Sequence, residues 1–189
     1  MRIIAGQHRG IRLASVGRGD TAAHLRPTSD RVRESLFSVL MGGAYGDPIS
    51  GTRVLDLFAG TGALGLEALS RGARHVTFVD DGRKAQGLIR QNIRLLHRQA
   101  DTKLMAVNAL RLPPNPDAPY DLIFLDPPYG KKLGQAALNT ARKGGWLAPD
   151  ALIIWEEDSP QPADEGYDLH DQRRYGGSWV SIMQRVDAG

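Results

Sequence analysis

The chain contains no cysteine. That excludes a disulfide framework, a thiolate metal site and a thiol nucleophile, and it is compatible with a reducing cytoplasm. Long hydrophobic runs are also missing: none approaches the roughly 18 residues that suggest a membrane span. The first residues, MRIIAGQHRG, lack the apolar core and small-residue cleavage site of a secretory signal. A cytoplasmic protein without a membrane partner is expected. No repeat recurs at a period of about 20–50 residues, which removes solenoids and propellers. His24, His75 and His97 stand alone, without metal-ligand spacing, and no metal is expected.

What is present is enough chain for one domain with a large core and a small appendage, at 189 residues. The net charge is only +3, but its distribution is uneven. Residues 1–33 hold seven Arg and two Asp, a net of +5, so the remainder sums to −2. A basic segment on a slightly acidic body points to a polyanionic partner met by one end of the molecule. A solvated basic surface explains the charge alone equally well.

RIIA and IRLASV flank GQHRG and predict a hairpin over residues 1–16, followed by an exposed loop. Thr28 or Ser29 can cap a helix running to about Met41, with Val32, Leu36, Val39 and Leu40 on one face. MGGAYGDPISG reads as a linker. From Arg53 the pattern alternates. RVLDLF, HVTFVD, KLMAV, YDLIFLD and ALIIWEE read as strands, separated in part by the helices ALGLEALSR, GRKAQGLIRQNIRLLHRQ and LGQAALNTARK. Ala85, Leu88, Ile89, Ile93 and Leu96 lie at core spacing, and Gly72 can end a helix. The tail YDLHDQRRYGGSWVSIMQRV reads as a hairpin turning at Gly176 and Gly177. The expected fold class is α/β: a Rossmann-like, doubly wound, mostly parallel seven-stranded sheet with an antiparallel C-terminal hairpin and a small N-terminal β-hairpin extension. Ligands in such sheets sit beyond the carboxyl ends of the strands. Asp56, Asp80, Asn108 and Asp126 are therefore the residues to interrogate.

The first strand runs into DLFAGTGALG. Gly60, Gly62 and Gly65 match G-x-G-x-x-G, formally a dinucleotide fingerprint, with a plain tight strand-to-helix turn as the lesser alternative. Asp56, just before the glycines, discriminates. A dinucleotide places its pyrophosphate over this turn, where a carboxylate would repel it. S-adenosylmethionine has no phosphate; it carries an ammonium and a cationic sulfonium. Asp80, ending the second strand, can accept from both ribose hydroxyls. Asp56 can alternatively cap the next helix, and the two roles are compatible.

LDPPYG, residues 125–130, ends the fourth strand. The residue before a proline is driven extended, which holds Asp126 outward. Pro127 and Pro128 have no N–H, so the corner offers acceptors and no donor. It suits an exocyclic amine of a base. Two hydrogen bonds, to the Asp126 side chain and the Pro127 carbonyl, localise the amine lone pair and aim it at the methyl sulfonium. Tyr129 can stack on the base. A proline turn closing a strand is the plain alternative.

DLFAGTGALGLEAL with LDPPY resembles the class I S-adenosylmethionine-dependent methyltransferases that act on exocyclic amines. MRIIAGQHRGIRL, LRPTSDRVRESLFSVL and RRYGGSWVSIM, in that order, resemble the bacterial 16S ribosomal RNA guanine-N2 methyltransferases of the RsmD type. The resemblance spans nearly the whole chain. It implies S-adenosyl-L-methionine contacts at Asp56, Leu57, Phe58, Ala59, Gly60, Thr61 and Gly62, at Asp80 and Asp81, and at Asn108 and Ala109. It places the target amine at Asp126, Pro127, Pro128 and Tyr129. Three positions depart from the pattern: Asp80 replaces the more usual Glu, Asn108 a common Asp, and His8 an aromatic residue, often Trp. RNA contacts are expected from Arg2, His8, Arg9, Arg12 and Arg26, with Arg31 and Arg33 as further phosphate candidates that can instead pair with acids or border the cofactor. Lys131 and Lys132 can hold the phosphate beside a flipped nucleotide. Arg90, Arg94 and Arg98 read better as a solvated helix face.

The expected organisation is an RNA-contacting extension at 1–27 and a methyltransferase domain at 28–189. The expected partner is 16S rRNA or the assembled small ribosomal subunit, met by a monomer. A DNA adenine methyltransferase shares Asp-Pro-Pro-Tyr, and protein glutamine methyltransferases use a related corner. No target-recognition domain for DNA is visible in this short chain. Asp56 disfavours a dinucleotide oxidoreductase. A noncatalytic ribosome-assembly protein predicts damage to Asp126 or the glycine loop, and both are intact.

Overall fold

Seven strands form one sheet in a computed structural model that describes residues 1–15 and 29–186. They are β1 (Arg53–Leu57), β2 (His75–Val79), β3 (Thr102–Met105), β4 (Tyr120–Leu125), β5 (Leu147–Glu157), β6 (Tyr167–Tyr175) and β7 (Ser178–Arg185). The helices are α1 (Asp30–Leu40), α2 (Ala63–Ser70), α3 (Arg83–Leu95) and α4 (Leu133–Lys143). The strand order is β3-β2-β1-β4-β5-β7-β6. β1 to β5 pair in parallel, while β7 runs antiparallel to both of its neighbours.

This order explains how the layers divide. Right-handed crossovers from β1 through β2 to β3 move outward in one direction, and the crossover from β4 to β5 moves in the other. The first set places α2 and α3 on one face; the second places α4 on the opposite face. The core accordingly splits in two. Leu36, Phe37, Leu66, Phe78, Ile89 and Phe124 fill one side, and Leu55, Ile123, Leu138, Trp146 and Trp155 fill the other. The central strands are buried on both faces, so they read as continuous apolar runs. The direction in which successive strands are added to the sheet reverses between β1 and β4. Their carboxyl ends therefore open a crevice, the place where open α/β sheets take ligands.

The helix before the sheet begins as expected. Ser29 is its N-cap and accepts from the Val32 N–H at 3.3 Å. Its inward face is rotated from the expected one. Arg33, Leu36, Phe37 and Leu40 are buried, whereas Val32 and Val39 are only half-buried. Phe37 supplies the reason: it is wholly buried against Phe124, with ring centroids 5.8 Å apart. In α3, the expected Leu88 is likewise half-buried, and Asn92 takes a fully buried position instead.

Residues 1–15 fold back on themselves, as the hairpin reading anticipates, but without regular strands. One antiparallel bridge joins Arg2 and Arg12, and Ile3 exchanges backbone bonds with Ile11 and Gly10, each at 2.9 Å. Ile3 and Leu13 are buried in the same core as α1 and α2. The backbone donors that a longer ladder would use go to α2 instead. Val16, the expected exposed loop, His24, Arg26 and Thr28 lie outside the described residues. Among the described residues, no helix is long and apolar enough to cross a membrane.

Candidate active site

Asp56 is the penultimate residue of β1, opposite Phe78 and Phe124, and is 2% exposed. Strand alternation turns its carboxylate toward α2. There Oδ2 accepts from the Gly65 N–H at 3.0 Å. The helix-cap role left open by the sequence is realised, with the cap supplied from a neighbouring strand. Gly65 is required for this fit, since a Cβ there would lie 2.5 Å from Phe78 and 2.7 Å from Val76. Burial pushes the Asp56 carboxyl up to about 8; the Gly65 hydrogen bond opposes this, and the nearby Asp80 charge adds to it.

Leu57 ends the strand, and Phe58 follows with φ of 58°, a left-handed conformation that costs a non-glycine residue energy. Gly60 and Gly62 are also left-handed, and the Gly62 N–H bonds to the Ala59 carbonyl at 2.7 Å. Thr61 is 6% exposed. The turn is pinned from β2. Asp80 Oδ2 accepts from the Gly60 N–H at 2.8 Å, and Oδ1 accepts from the Gly82 N–H at 2.9 Å. Burial raises the Asp80 carboxyl above its ordinary range, and the two backbone bonds pull against it. A carboxylate oxygen can take more than one donor, so both bonds leave acceptor capacity for ribose hydroxyls.

Asn108 and Asp81 meet across the ends of β3 and β2. The Asn108 Nδ2 donates to Asp81 at 2.7 Å. Its Oδ1 accepts from the Leu110 N–H at 2.8 Å, capping a short 3-10 turn over Ala109–Arg111. The oxygen expected to receive an adenine amine thus already carries one backbone donor. Ala109 is buried beside it.

The Asp-Pro-Pro-Tyr corner lies next to the glycine turn. Leu57 and Leu125 are register partners, and the Asp126 N–H points to the Leu57 carbonyl at 3.4 Å. Pro127 is buried and Pro128 exposed. Tyr129 is half-buried, and its hydroxyl donates to Glu156 Oε1 at 2.8 Å. Burial and the Glu156 charge push that hydroxyl well above the usual phenol range. Glu157 Oε1 accepts from the Gly130 and Asp158 N–H groups at 3.2 and 3.1 Å. Two glutamates at the end of β5 therefore shape the corner. Sequence reasoning missed them, although WEE ends a strand on the side where ligands bind.

A second missed group holds the N-terminal segment. Glu67 of α2, fully buried, accepts from the Ile4 and Ala5 N–H groups at 2.8 and 3.0 Å and from Arg71 at 2.8 Å. Ser70 Oγ accepts from the His8 N–H at 2.9 Å and donates to the Ala5 carbonyl at 2.6 Å. Gly6, at φ of 81°, passes so close that a Cβ would sit 1.9 Å from the Ser70 carbonyl oxygen. The signal was a polar residue inside an apolar helix stripe, at Glu67 among ALGLEALS and at Asn92 between Ile89 and Ile93.

The basic candidates separate by exposure. Arg2, Arg9, Arg12, Arg31, Lys131 and Lys132 are exposed, and Arg2 pairs loosely with Asp30 at 3.7 Å. Arg33 takes the acid-pairing alternative and not the phosphate one. It is wholly buried, bonded to Asp30 and to the Arg2 carbonyl, and cannot reach a phosphate on the surface. His8 is half-buried with Nε2 3.4 Å from Arg98; burial, then the Arg98 charge, lower its pKa. Arg98 lies past the end of α3 and pairs with Asp101 at 2.6 Å, whereas Arg90 and Arg94 form the exposed helix face expected of them.

The geometry suits a cationic ligand. Asp56 and Asp80 both border the glycine turn, so a pyrophosphate set there would face two carboxyls. S-adenosylmethionine fits this set of acceptors: its ammonium and sulfonium match the acids, and its ribose hydroxyls match Asp80.

The chain matches the family model described as Conserved hypothetical protein 95 over residues 1–184. It is 34% identical over 192 residues to ribosomal RNA small subunit methyltransferase D of Escherichia coli, covering 100% of this chain and 92% of that protein. The protein of the same name from Haemophilus influenzae is 37% identical over 166 residues, covering 86% of this chain and 81% of the relative. The solved structure of yhhF from Escherichia coli superposes with a TM-score of 0.83 at 34% identity, over 100% of this chain and 99% of that one. A hypothetical protein of Thermus thermophilus superposes with a TM-score of 0.73 at 26% identity, with 100% and 99% coverage. The chain belongs to the Conserved hypothetical protein 95 family, alongside the small-subunit ribosomal RNA methyltransferases D.

Proposed function

We propose that this chain transfers a methyl group from S-adenosyl-L-methionine to the exocyclic N2 amine of a guanine in 16S rRNA of the small ribosomal subunit. One observation carries the reading: adjacent carboxyl ends of β1 and β4 bring the glycine turn and the Asp-Pro-Pro-Tyr corner together, with the Asp126 N–H pointing to the Leu57 carbonyl. The relatives' names support ribosomal RNA as the substrate class.

When bound, S-adenosylmethionine supplies an electrophilic methyl group. Asp56 would hold its ammonium, Asp80 and Asp81 its ribose, and Asn108 and Ala109 its adenine. The Asp126 carboxylate and the Pro127 carbonyl accept the two N–H groups of the target amine. They localise its lone pair and orient it for in-line attack. The tether from Tyr129 to Glu156 anchors the hydroxyl end of a ring that can serve as a stacking platform for a flipped base. The methylated amine is acidic, and Asp126 passes its proton to water. Residues 1–27 form the RNA-contacting extension of a methyltransferase domain at 28–189, with Arg2, His8, Arg9, Arg12 and Arg26 on the phosphate side. Lys131 and Lys132, following the corner, hold the phosphate beside the flipped nucleotide.

The test is methyl transfer from labelled cofactor to unmodified small subunits, naked rRNA and DNA, followed by identification of the labelled nucleoside. N2-methylguanosine from rRNA or subunits, lost with Asp126→Ala, supports the reading. Methyladenine from DNA would overturn the substrate, and cofactor binding without transfer to any of the three would favour a noncatalytic role.

A further inference from the structure

Asn92 is wholly buried on the inward face of α3, where an apolar residue would be expected. Its amide is used on both edges. Oδ1 accepts from the Ala14 N–H at 2.7 Å, and Nδ2 donates to the Ala14 carbonyl at 3.1 Å. The side chain thus pairs with the N-terminal segment as a neighbouring strand would. The second Nδ2 hydrogen goes to the carbonyl of Thr61, in the glycine turn, at 2.9 Å. One rigid, planar group therefore touches both the turn and the segment, which are 47 positions apart in sequence by the difference of 61 and 14. α3 also rests on the turn through Ile89, whose Cγ1 lies 3.4 Å from where a Gly62 Cβ would be.

We propose that Asn92 is a positioning residue that couples occupancy of the glycine turn to the placement of the N-terminal segment. The inference rests on the reading of Gly60 to Gly62 as the cofactor turn. A ligand drawn onto the turn orders the Thr61 carbonyl. That carbonyl fixes the Asn92 amide plane, and the plane sets the direction in which the chain leaves Ala14. Linkage makes the effect reciprocal: an rRNA that seats the segment tightens cofactor binding by the same factor. Asn is suited to this and its near relatives are not. Leu has its size but none of its bonds, and Asp would set a carboxylate against two carbonyl oxygens.

Amide hydrogen exchange on the full-length protein, with and without S-adenosylhomocysteine, tests the proposal without requiring turnover. In the wild type, protection is expected to rise at Gly60 to Gly62 and also at Ala14, the latter by a factor within the usual coupling range of about 5–150. Ile4 and Ala5, held by Glu67 rather than by Asn92, are expected to respond less. A uniform response of Ala14, Ile4 and Ala5 means general tightening and overturns the proposal, as does no response at Ala14. In Asn92→Leu, protection is expected at the turn but not at Ala14; transmission as strong as in the wild type also refutes it. The wild-type comparison stands even where that variant does not fold. Absence of protection at Gly60 to Gly62 in the wild type identifies a different failure, that of the cofactor reading, and takes the coupling with it.

Discussion

Replacing Glu67 by Ala tests how firmly the N-terminal segment is built into the fold. The carboxylate is fully buried and takes three donors: the Ile4 N–H, the Ala5 N–H and Arg71 Nε. Each hydrogen bond to a charged group contributes about 1.5–3 kcal/mol, but the three share one group and do not add. Removing one partner of a buried ion pair costs roughly 3–5 kcal/mol, because the other charge is stranded. Arg71 is such a partner, with its side chain 9% exposed and its guanidinium 4.7 Å from the Phe37 ring centre. A loss of about 3–5 kcal/mol is therefore expected, which in a domain of this size lowers Tm by roughly 6–20 °C. Glu67→Gln keeps one acceptor and turns an NH2 toward backbone donors, so its loss is expected to be smaller, about 2–3 kcal/mol. Urea and thermal unfolding measure both. If the segment detaches while the body stays folded, the global loss is capped and trypsin cleaves faster after Arg9 and Arg12. A loss below about 1 kcal/mol with unchanged cleavage would refute the reasoning.

Asp56 should make stability depend on pH in an unusual direction. Its folded pKa, about 8, lies above the ordinary 3.8, so its contribution is complete below pH 3.8 and is lost as pH rises through 8. Asp56→Asn, which keeps an acceptor for Gly65, is expected to flatten the stability profile over that window and to exceed the wild type above pH 8; equal slopes would count against it. On the proposed cofactor reading, S-adenosylmethionine binding below pH 8 releases a proton, measurable by calorimetry in buffers of different ionisation enthalpy. Asp126→Ala is expected to lower kcat by at least about 100-fold while cofactor affinity holds, the pattern of an interaction made in the transition state. Gly65→Ala places a methyl 2.5 Å from Phe78 and 3.0 Å from Asp56 Oδ2. It should cost about 1–3 kcal/mol by overpacking and weaken cofactor binding, both visible in a ligand-dependent thermal shift.

Some of this was legible because it depends on neighbours in sequence. Strands buried on both faces read as unbroken apolar runs, and glycines and prolines mark their ends, so the alternating order and the C-terminal hairpin follow from pattern alone. The corner at Asp126 is equally local, since two prolines constrain the backbone wherever they stand. The turn from Leu57 to Gly62 is announced by its glycines. Glu67, Asn92 and Arg33 could not be read this way. Each is polar in an apolar stripe, and its partners lie far along the chain: 63 positions from Glu67 to Ile4, 78 from Asn92 to Ala14, and 31 from Arg33 to the Arg2 carbonyl. Charge alone left Arg33 open between a phosphate and an acid, and the packing of α1 buried it against Asp30. The sequence by itself determined the elements, their order and the chemistry at the strand ends, since those follow from periodicity and backbone constraint. Only the tertiary structure decided which polar side chains are buried and what they hold, because that depends on which distant backbone groups need partners once α2 and α3 close over the N-terminal segment.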